Sequence, residues 1–561
     1  MSQGSGAQDV KVEEAGKDNE IIAVDEPPLQ SSSPCVGEGR ASDAPPVAGK
    51  PDLATPALQS LFKELDSPAL ERWGSPNRTA PLLNAAYLLA HATVVLVPVL
   101  RVVVPSAGCP AEVAVNMFFI LMLLLVATFA LKACAEALWH SCHRRAGSRS
   151  GGEDTQHVVC VMINKEPDEM ILNTLKHVND SPSAPRTRVV IAMEEKTDRQ
   201  AERAQTYATF LTNVHSTRHY VHPAGLAGES RGLCSNVAWA MNSYLKELLG
   251  ELATANPEQE NPLKKFVFTK LDSQVLLHEE YFSELEYQFS SWQKRLTKRP
   301  VVFQPLMLYH IHRDKTYGPA RAVGAMRTLV YGFFFSCGIL TATVYSLPLT
   351  QYINIGVHHA GYIGEDFMVL AQSTVTSRCV TKVVLMPRTP ASTALPLGGS
   401  FCESLMEIWR QNKRWSGQTT EVAEFVARNG GCRRAPVALW LAVFGLARVV
   451  FSDGIGMYLM VTGIVGQPES CSDANAEVLQ FTGLIMQAVT LLACLVVAPV
   501  VDQVMSRTLP CNVPLWQLPL TMLCIVPTLI YQNINNLVAY YALLRVGKRA
   551  VASHKARAKV V

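Results

Sequence analysis

Three short stretches of this chain hold residue types that can do chemistry. In FVFTKLDSQVLLHEEYF an apolar β-type run ends on Asp272. An acidic residue at the carboxyl end of a strand stands where open α/β sheets bind ligands. A carboxylate there suits a hard divalent cation that bridges phosphates, although Asp ends strands as a turn former just as readily. In HHAGYIGEDFMVLAQ, Glu365 and Asp366 follow a Gly-containing turn and precede an apolar helical run. They are either N-terminal acids favoured by the helix dipole or a general base placed to take the proton of an attacking hydroxyl. In EIWRQNKRWSGQ, Glu407, Gln411, Arg414 and Gln418 recur at three- and four-residue spacing, which predicts a helix or helix-turn. Either Arg410, Lys413 and Arg414 face lipid headgroups, or Trp415 stacks on a sugar ring while Arg414 steadies a diphosphate.

Such a site needs a scaffold that brings positions 272, 366 and 414 together. Between about 155 and 430, short apolar runs such as HVVCVMI, RVVIAM and KKFVFTKLD alternate with polar helical stretches. That alternation predicts a mainly parallel sheet with crossover helices. One run, TLVYGFFFSCGILTATVYSLPLT (328–350), is long enough to cross a bilayer by hydropathy alone. A crossing there would put the residues before it and the GED after it on opposite sides, so a buried or membrane-skimming segment is the expectation.

The order of these features resembles the processive family 2 glycosyltransferases, the membrane-bound cellulose, chitin and hyaluronan synthases with a GT-A catalytic domain. Their signature is an early nucleotide-binding Asp, a D-x-D, an (S/T/G)-E-D and a Q-x-x-R-W. Here it reads AMEEKTD, DSQ, GED and QNKRW, within about residues 155–430. The resemblance implies an α/β GT-A-type, Rossmann-like domain that uses a nucleotide sugar, with a UDP-sugar as the expected donor, and Mg²⁺ or Mn²⁺. It assigns Asp366 as catalytic base with Glu365 beside it, and Gln411, Arg414 and Trp415 to the acceptor and diphosphate region. Asp272 becomes the metal ligand, while INKEPDE supplies Asn164 and Glu166 at the nucleobase. GESRGLCSNVAWAMN matches the family's G-K-x-x-A-x-N segment, keeping Gly232 and Asn236. Tyr345 and Ser346 fall where the family places its acceptor channel, with core packing as the equal alternative.

Three departures stand out. Gln274 replaces the second Asp of D-x-D, an amide that coordinates through its carbonyl oxygen but brings no charge; His278 is a nearby candidate to assist. Glu194, Glu195 and Asp198 stand where the family has adjacent aspartates, so Glu194 or Glu195 would contact the nucleotide. Leu233 takes the place of a lysine whose charge Arg231 would supply from two residues away.

The 561 residues are 48% hydrophobic, and the apolar residues are clumped into long blocks. Residues 1–79 are rich in Ser, Pro, Gly and acids and read as disordered. Two spans, 81–105 and 111–133, form a predicted transmembrane hairpin (80–136), and 436–466, 478–501 and 514–545 a second membrane cluster (436–545). Arg448 and Asp453 interrupt the first block of that cluster, so that it either lies in the interface or crosses twice and the number of crossings is even. The basic residues flanking the hairpin, and the basic tail 546–561, place both ends and the catalytic domain in the cytosol of a multi-pass membrane protein. A net charge of only +3 gives no field for nucleic acid. Fourteen cysteines without a C-x-x-C pair indicate neither a zinc site nor a disulfide scaffold, and Cys160, Cys234, Cys337 and Cys379 read as small buried residues. The expected function is an inverting sugar transfer from a nucleotide sugar to a growing polysaccharide or glycan, the alternatives being a single transfer to a lipid acceptor or a silent membrane scaffold of the same fold.

Overall fold

In a computed structural model, residues 154–449 are described apart from short gaps, together with the helical stretches 131–139, 492–506 and 516–546 and isolated positions between 59 and 142 and between 481 and 488. The hairpin spans 81–105 and 111–133 and the basic tail lie almost wholly outside the described residues, and the second membrane cluster is only partly within them. All described residues belong to one compact unit, 52–561.

One eight-stranded mixed sheet organises this unit, in the order β3-β2-β1-β4-β7-β6-β8-β5. Its strands are β1 (Gln156–Ile163), β2 (Thr187–Glu194), β3 (Ser216–His222), β4 (Phe266–Asp272), β5 (Val275–Leu277), β6 (Val301–Ile311), β7 (Val344–Pro348) and β8 (Lys382–Ala394). The helices are α1 (Asp168–Asn179), α2 (Gln200–Phe210), α3 (Leu233–Ala255), α4 (Tyr281–Gln293), α5 (Gly318–Ser336), α6 (Leu349–Asn354), α7 (Glu365–Ser377), α8 (Phe401–Arg428), α9 (Ala435–Val449), α10 (Ala498–Met505) and α11 (Gln517–Val546).

The first half follows the expected pattern. β3, β2, β1 and β4 are parallel and joined through α1, α2 and α3. β1 is buried from His157 to Ile163, as a parallel strand covered on both faces must be. The strand order reverses between β1 and β4, which makes their carboxyl ends a topological switch point.

The second half is not all parallel. β7 runs antiparallel to β4 and β6, and β5 is antiparallel to β8 at the far edge. The apolar run 328–350 is divided between these elements. It supplies the end of α5, a turn with Gly338 at φ +68°, and then β7 in the middle of the sheet. Its hydropathy comes from burial on both faces of a sheet. The buried amide of Gln304 stitches β6 to this turn, donating to the Ala342 and Val344 carbonyls at 3.2 and 2.9 Å and accepting from the Ala342 N–H at 3.1 Å.

EIWRQNKRWSGQ is continuous helix within α8, which Ser400 caps by accepting from the Glu403 N–H at 3.2 Å. α11 packs on α5 and α8, where Tyr531 lies against Ala320, Val323 and Ile408 and donates to the Leu405 carbonyl at 2.9 Å. α10 is tied in by Asp502, which receives His310 Nε2 at 2.9 Å and the Thr328 hydroxyl at 3.2 Å. Among the described residues no helix is both long and apolar enough to cross a membrane. Cys160 and Cys234 are buried as expected, but Cys379 is half-buried and Cys337 is exposed at the end of α5, and the described cysteines are free.

Candidate active site

The site begins with strand ends. Asp272 closes β4 and pairs in register with Met162 of β1, so Asn164 and Glu166 emerge beside it at the switch point. The Asn164 N–H donates to Glu166 Oε2 at 2.7 Å, which closes the loop on itself. Arg203 of α2 pulls that loop inward: its guanidinium donates to the Glu166 carbonyl at 2.7 Å, to the Asn164 carbonyl at 3.5 Å and to Asp168 at 2.7 Å. Burial raises the Asp168 pKa, but Tyr207 and Arg203 more than offset it and hold the carboxylate below its ordinary value.

One strand further out, Glu194 ends β2. Its N–H donates to Thr197 Oγ1 at 3.2 Å, and Glu195 Oε2 accepts from the Ala224 N–H at 2.7 Å. Asn236 in the first turn of α3 donates to the Ala192 carbonyl at 3.1 Å, fastening that helix to β2. Arg231 lies outside the described residues.

DSQ is the link by which the chain leaves β4 for β5. Thr174 of α1 holds it, donating to the Ser273 carbonyl at 2.9 Å and accepting from the Val275 N–H at 3.2 Å. His278 Nδ1 accepts from the Glu280 N–H at 3.2 Å, just before α4.

The side chain at the centre of the site is one that sequence reasoning missed. Lys270 lies two residues before Asp272, on the same face of β4, and is fully buried. Its Nζ is 2.8 Å from Asp272 Oδ1, 2.8 Å from Asp366 Oδ1 and 3.5 Å from Glu365 Oε1, and it donates to the Thr343 carbonyl at 3.1 Å. Burial pulls the Lys270 pKa down, but Asp272, Asp366 and Glu365 outweigh it, so the ammonium is held above its ordinary value. Burial, then the charge of Asp366, raises the Glu365 carboxyl well above the usual carboxylate range. Asp272 is raised as well, by burial first, with Lys270 opposing. Asp272 and Asp366 remain about one-fifth exposed, while Glu365 is nearly covered.

Glu365 and Asp366 open α7, so they are N-terminal acids of a helix and members of a charged cluster at once. A second missed residue sets their position. Glu421, two turns after Arg414 on α8, is buried and accepts from the Ile363 and Gly364 N–H groups at 2.9 and 3.1 Å. A Cβ on Gly364 would stand 2.8 Å from Gln418 Cγ, so the close approach of α7 to α8 requires glycine there.

Trp415 is half-buried on α8, with the Arg327 guanidinium of α5 4.3 Å from its ring centre. Arg327 also lies 5.6 Å from the Tyr309 ring. The Tyr309 hydroxyl is pushed well above its ordinary value by burial, then by Tyr331, with Asp366 also contributing. Gln411 and Arg414 are half-buried on α8, and Gln411 Oε1 is a buried acceptor without a hydrogen-bond donor among the described residues. Tyr345 is not at an acceptor surface: it is fully buried in β7 and its hydroxyl meets His358 Nε2 at 2.7 Å. Ser346 is also buried, bonded to Thr269 and Tyr281 at 2.7 and 2.8 Å.

For the cation that the resemblance implies, the DSQ motif offers the Asp272 carboxylate and, by its place in the sequence, the Gln274 amide. Among the described residues no group of three His, Cys, Asp or Glu side chains is arranged to hold a metal. One Asp272 oxygen is engaged by Lys270. This donor set fits a hard cation that takes its remaining ligands from substrate phosphates and water.

No family model matches the chain, and no curated protein matches it. Among solved structures it is similar to the mannosyltransferase PcManGT from Pyrobaculum calidifontis in complex with GDP-Man and Mn²⁺, with 10% identity and a TM-score of 0.39, over 76% of this chain and 99% of that one. A likeness of that size identifies neither a family nor an activity.

Proposed function

We propose that the protein is an inverting glycosyltransferase that uses a nucleotide sugar, a UDP-sugar by the family resemblance, to extend a polysaccharide or glycan. The observation that carries this reading is the convergence of Asp272, Glu365 and Asp366, from motifs 93 residues apart, on one nitrogen at the switch point of the sheet. The Asn164–Glu166 loop receives the nucleobase, and Glu194 or Glu195 contacts the nucleotide. Asp366 accepts the proton of the acceptor hydroxyl as its oxygen attacks the anomeric carbon. The bond from that carbon to the diphosphate breaks, its electron pair leaves on the diphosphate, and Arg414 offsets the charge. Gln411 Oε1 offers an acceptor to a sugar hydroxyl, and Trp415 a stacking face. Mg²⁺ or Mn²⁺ held by Asp272 and the Gln274 carbonyl would neutralise diphosphate charge when bound.

Membrane embedding belongs to the same proposal. Leu520, Leu523, Ile530, Ile534, Val538 and Tyr541 form one exposed apolar stripe along α11, which suits contact with lipid. The test is a screen of nucleotide sugars for diphosphate release by the full chain in detergent or lipid, with and without Mn²⁺. Release with at least one donor is expected, and silence with all of them would overturn the reading.

A further inference from the structure

Lys270 is costly where it stands. A buried ammonium is tolerated only when its charge is paired and its donors are used. Here the oxygens come from three separate parts of the chain: Asp272 on its own strand, Glu365 and Asp366 at the start of α7, and the Thr343 carbonyl before β7. Thr343 is β-branched and sits at φ +61°, a strained backbone that the surrounding structure must impose. The carboxylate predicted to serve the donor and the one predicted to serve the acceptor are thus tied to the same Nζ.

We infer that Lys270 is a built-in cation that holds Asp272 and Asp366 together and thereby limits the free protein's affinity for divalent metal. Lys270 takes one oxygen of each aspartate, so a divalent ion arriving alone finds the site partly neutralised. Mg²⁺ or Mn²⁺ then binds firmly only together with the donor diphosphate, which completes its ligand set. Lys270 is a positioning residue, acting through the carboxylates it grips. The roles of those carboxylates rest on the glycosyl-transfer reading, whereas the metal competition does not.

The test is a titration of the full-length protein with Mn²⁺ alone, reading free Mn²⁺ by electron paramagnetic resonance, without nucleotide or acceptor. Wild type and Lys270→Arg, which keeps the charge, are expected to bind weakly. Lys270→Met frees three carboxylates and is expected to bind at least about tenfold more tightly, since ligand charge sets affinity at such sites. Adding Asp272→Asn to Lys270→Met is expected to remove that gain. Because Lys270→Met leaves buried charge unpaired, its thermal unfolding is followed with and without Mn²⁺. A larger Mn²⁺-induced rise in its melting temperature than in wild type is expected. Equal Mn²⁺ affinity in wild type and Lys270→Met, a gain that survives Asp272→Asn, or a Lys270→Met protein that stays unfolded with Mn²⁺ would each overturn the inference. The titration needs no turnover, so a protein inactive on every nucleotide sugar could still show the competition, and the two failures are distinct.

Discussion

Replacing Glu421 by Gln tests whether α8 positions the carboxylates of α7. The carboxylate accepts two backbone N–H groups, from Ile363 at 2.9 Å and Gly364 at 3.1 Å, immediately before Glu365 and Asp366. Gln keeps the shape and one acceptor oxygen but removes the charge. A hydrogen bond to a charged group contributes about 1.5–3 kcal/mol and a neutral one about 0.5–1.5, so two weakened bonds cost about 2–3 kcal/mol. For a unit spanning residues 154–449 that corresponds to a drop in melting temperature of roughly 3–5 °C. Loosening the turn also displaces Asp366, and misplacement on the order of 1 Å costs up to about a hundredfold in rate. Differential scanning fluorimetry and donor-hydrolysis kinetics on the same preparations should show a lower melting temperature and a kcat reduced at least about tenfold, with the donor KM little changed. A variant that melts within about 1 °C of wild type and keeps its kcat would refute the positioning role of α8.

The same contact makes Gly364→Ala destabilising, because the new Cβ meets Gln418 Cγ at 2.8 Å. Adding Gln418→Ala removes the Cγ contact but leaves the Cβ of residue 418 2.9 Å from the new methyl, so it should recover part of the loss, and a strictly additive double mutant in thermal melts would argue against the clash. Arg203→Met should raise the donor KM with little change in kcat, because it releases the carbonyls of Asn164 and Glu166 far from the reacting carbon; an unchanged KM would remove that loop from donor binding. His358 is fully buried between Tyr345 and Tyr352, and burial lowers its pKa from 6.5 to about 3. Below about pH 6.5 the unfolded chain takes up a proton that the folded one refuses, so stability falls with pH until about 3, at about 1.4 kcal/mol per unit. Denaturant melts between pH 6 and 5 should show that extra slope in wild type relative to His358→Asn, and parallel pH dependences would contradict it.

Much of the scaffold was legible in the sequence because its first half obeys a simple rule. Continuous apolar runs alternating with polar helical stretches mean parallel strands covered on both faces, and β1, β2 and β4 lie where that pattern puts them. The antiparallel β7 was not legible, since a strand buried on both sides and a membrane segment share the same hydropathy. Asp272, Glu365 and Asp366 stood out as acids at element ends. Lys270 did not, because the third lysine of KKFVFTKLD reads as the solvated side of a strand, although its two-residue offset from Asp272 already placed both on one face. Glu421 and Arg327 act across helix contacts, and no local spacing reveals those. Tyr345 was open between channel and core, and its bond to His358 puts it in the core.

The central claim is that Asp366, held with Asp272 by Lys270, is the base of a sugar transfer. Its most direct test is diphosphate release from the accepted nucleotide sugar by wild type and Asp366→Asn, with folding checked by circular dichroism. Loss of a general base predicts a fall in kcat of about a hundredfold or more, with donor binding retained. Undiminished release by a folded Asp366→Asn protein would contradict the account.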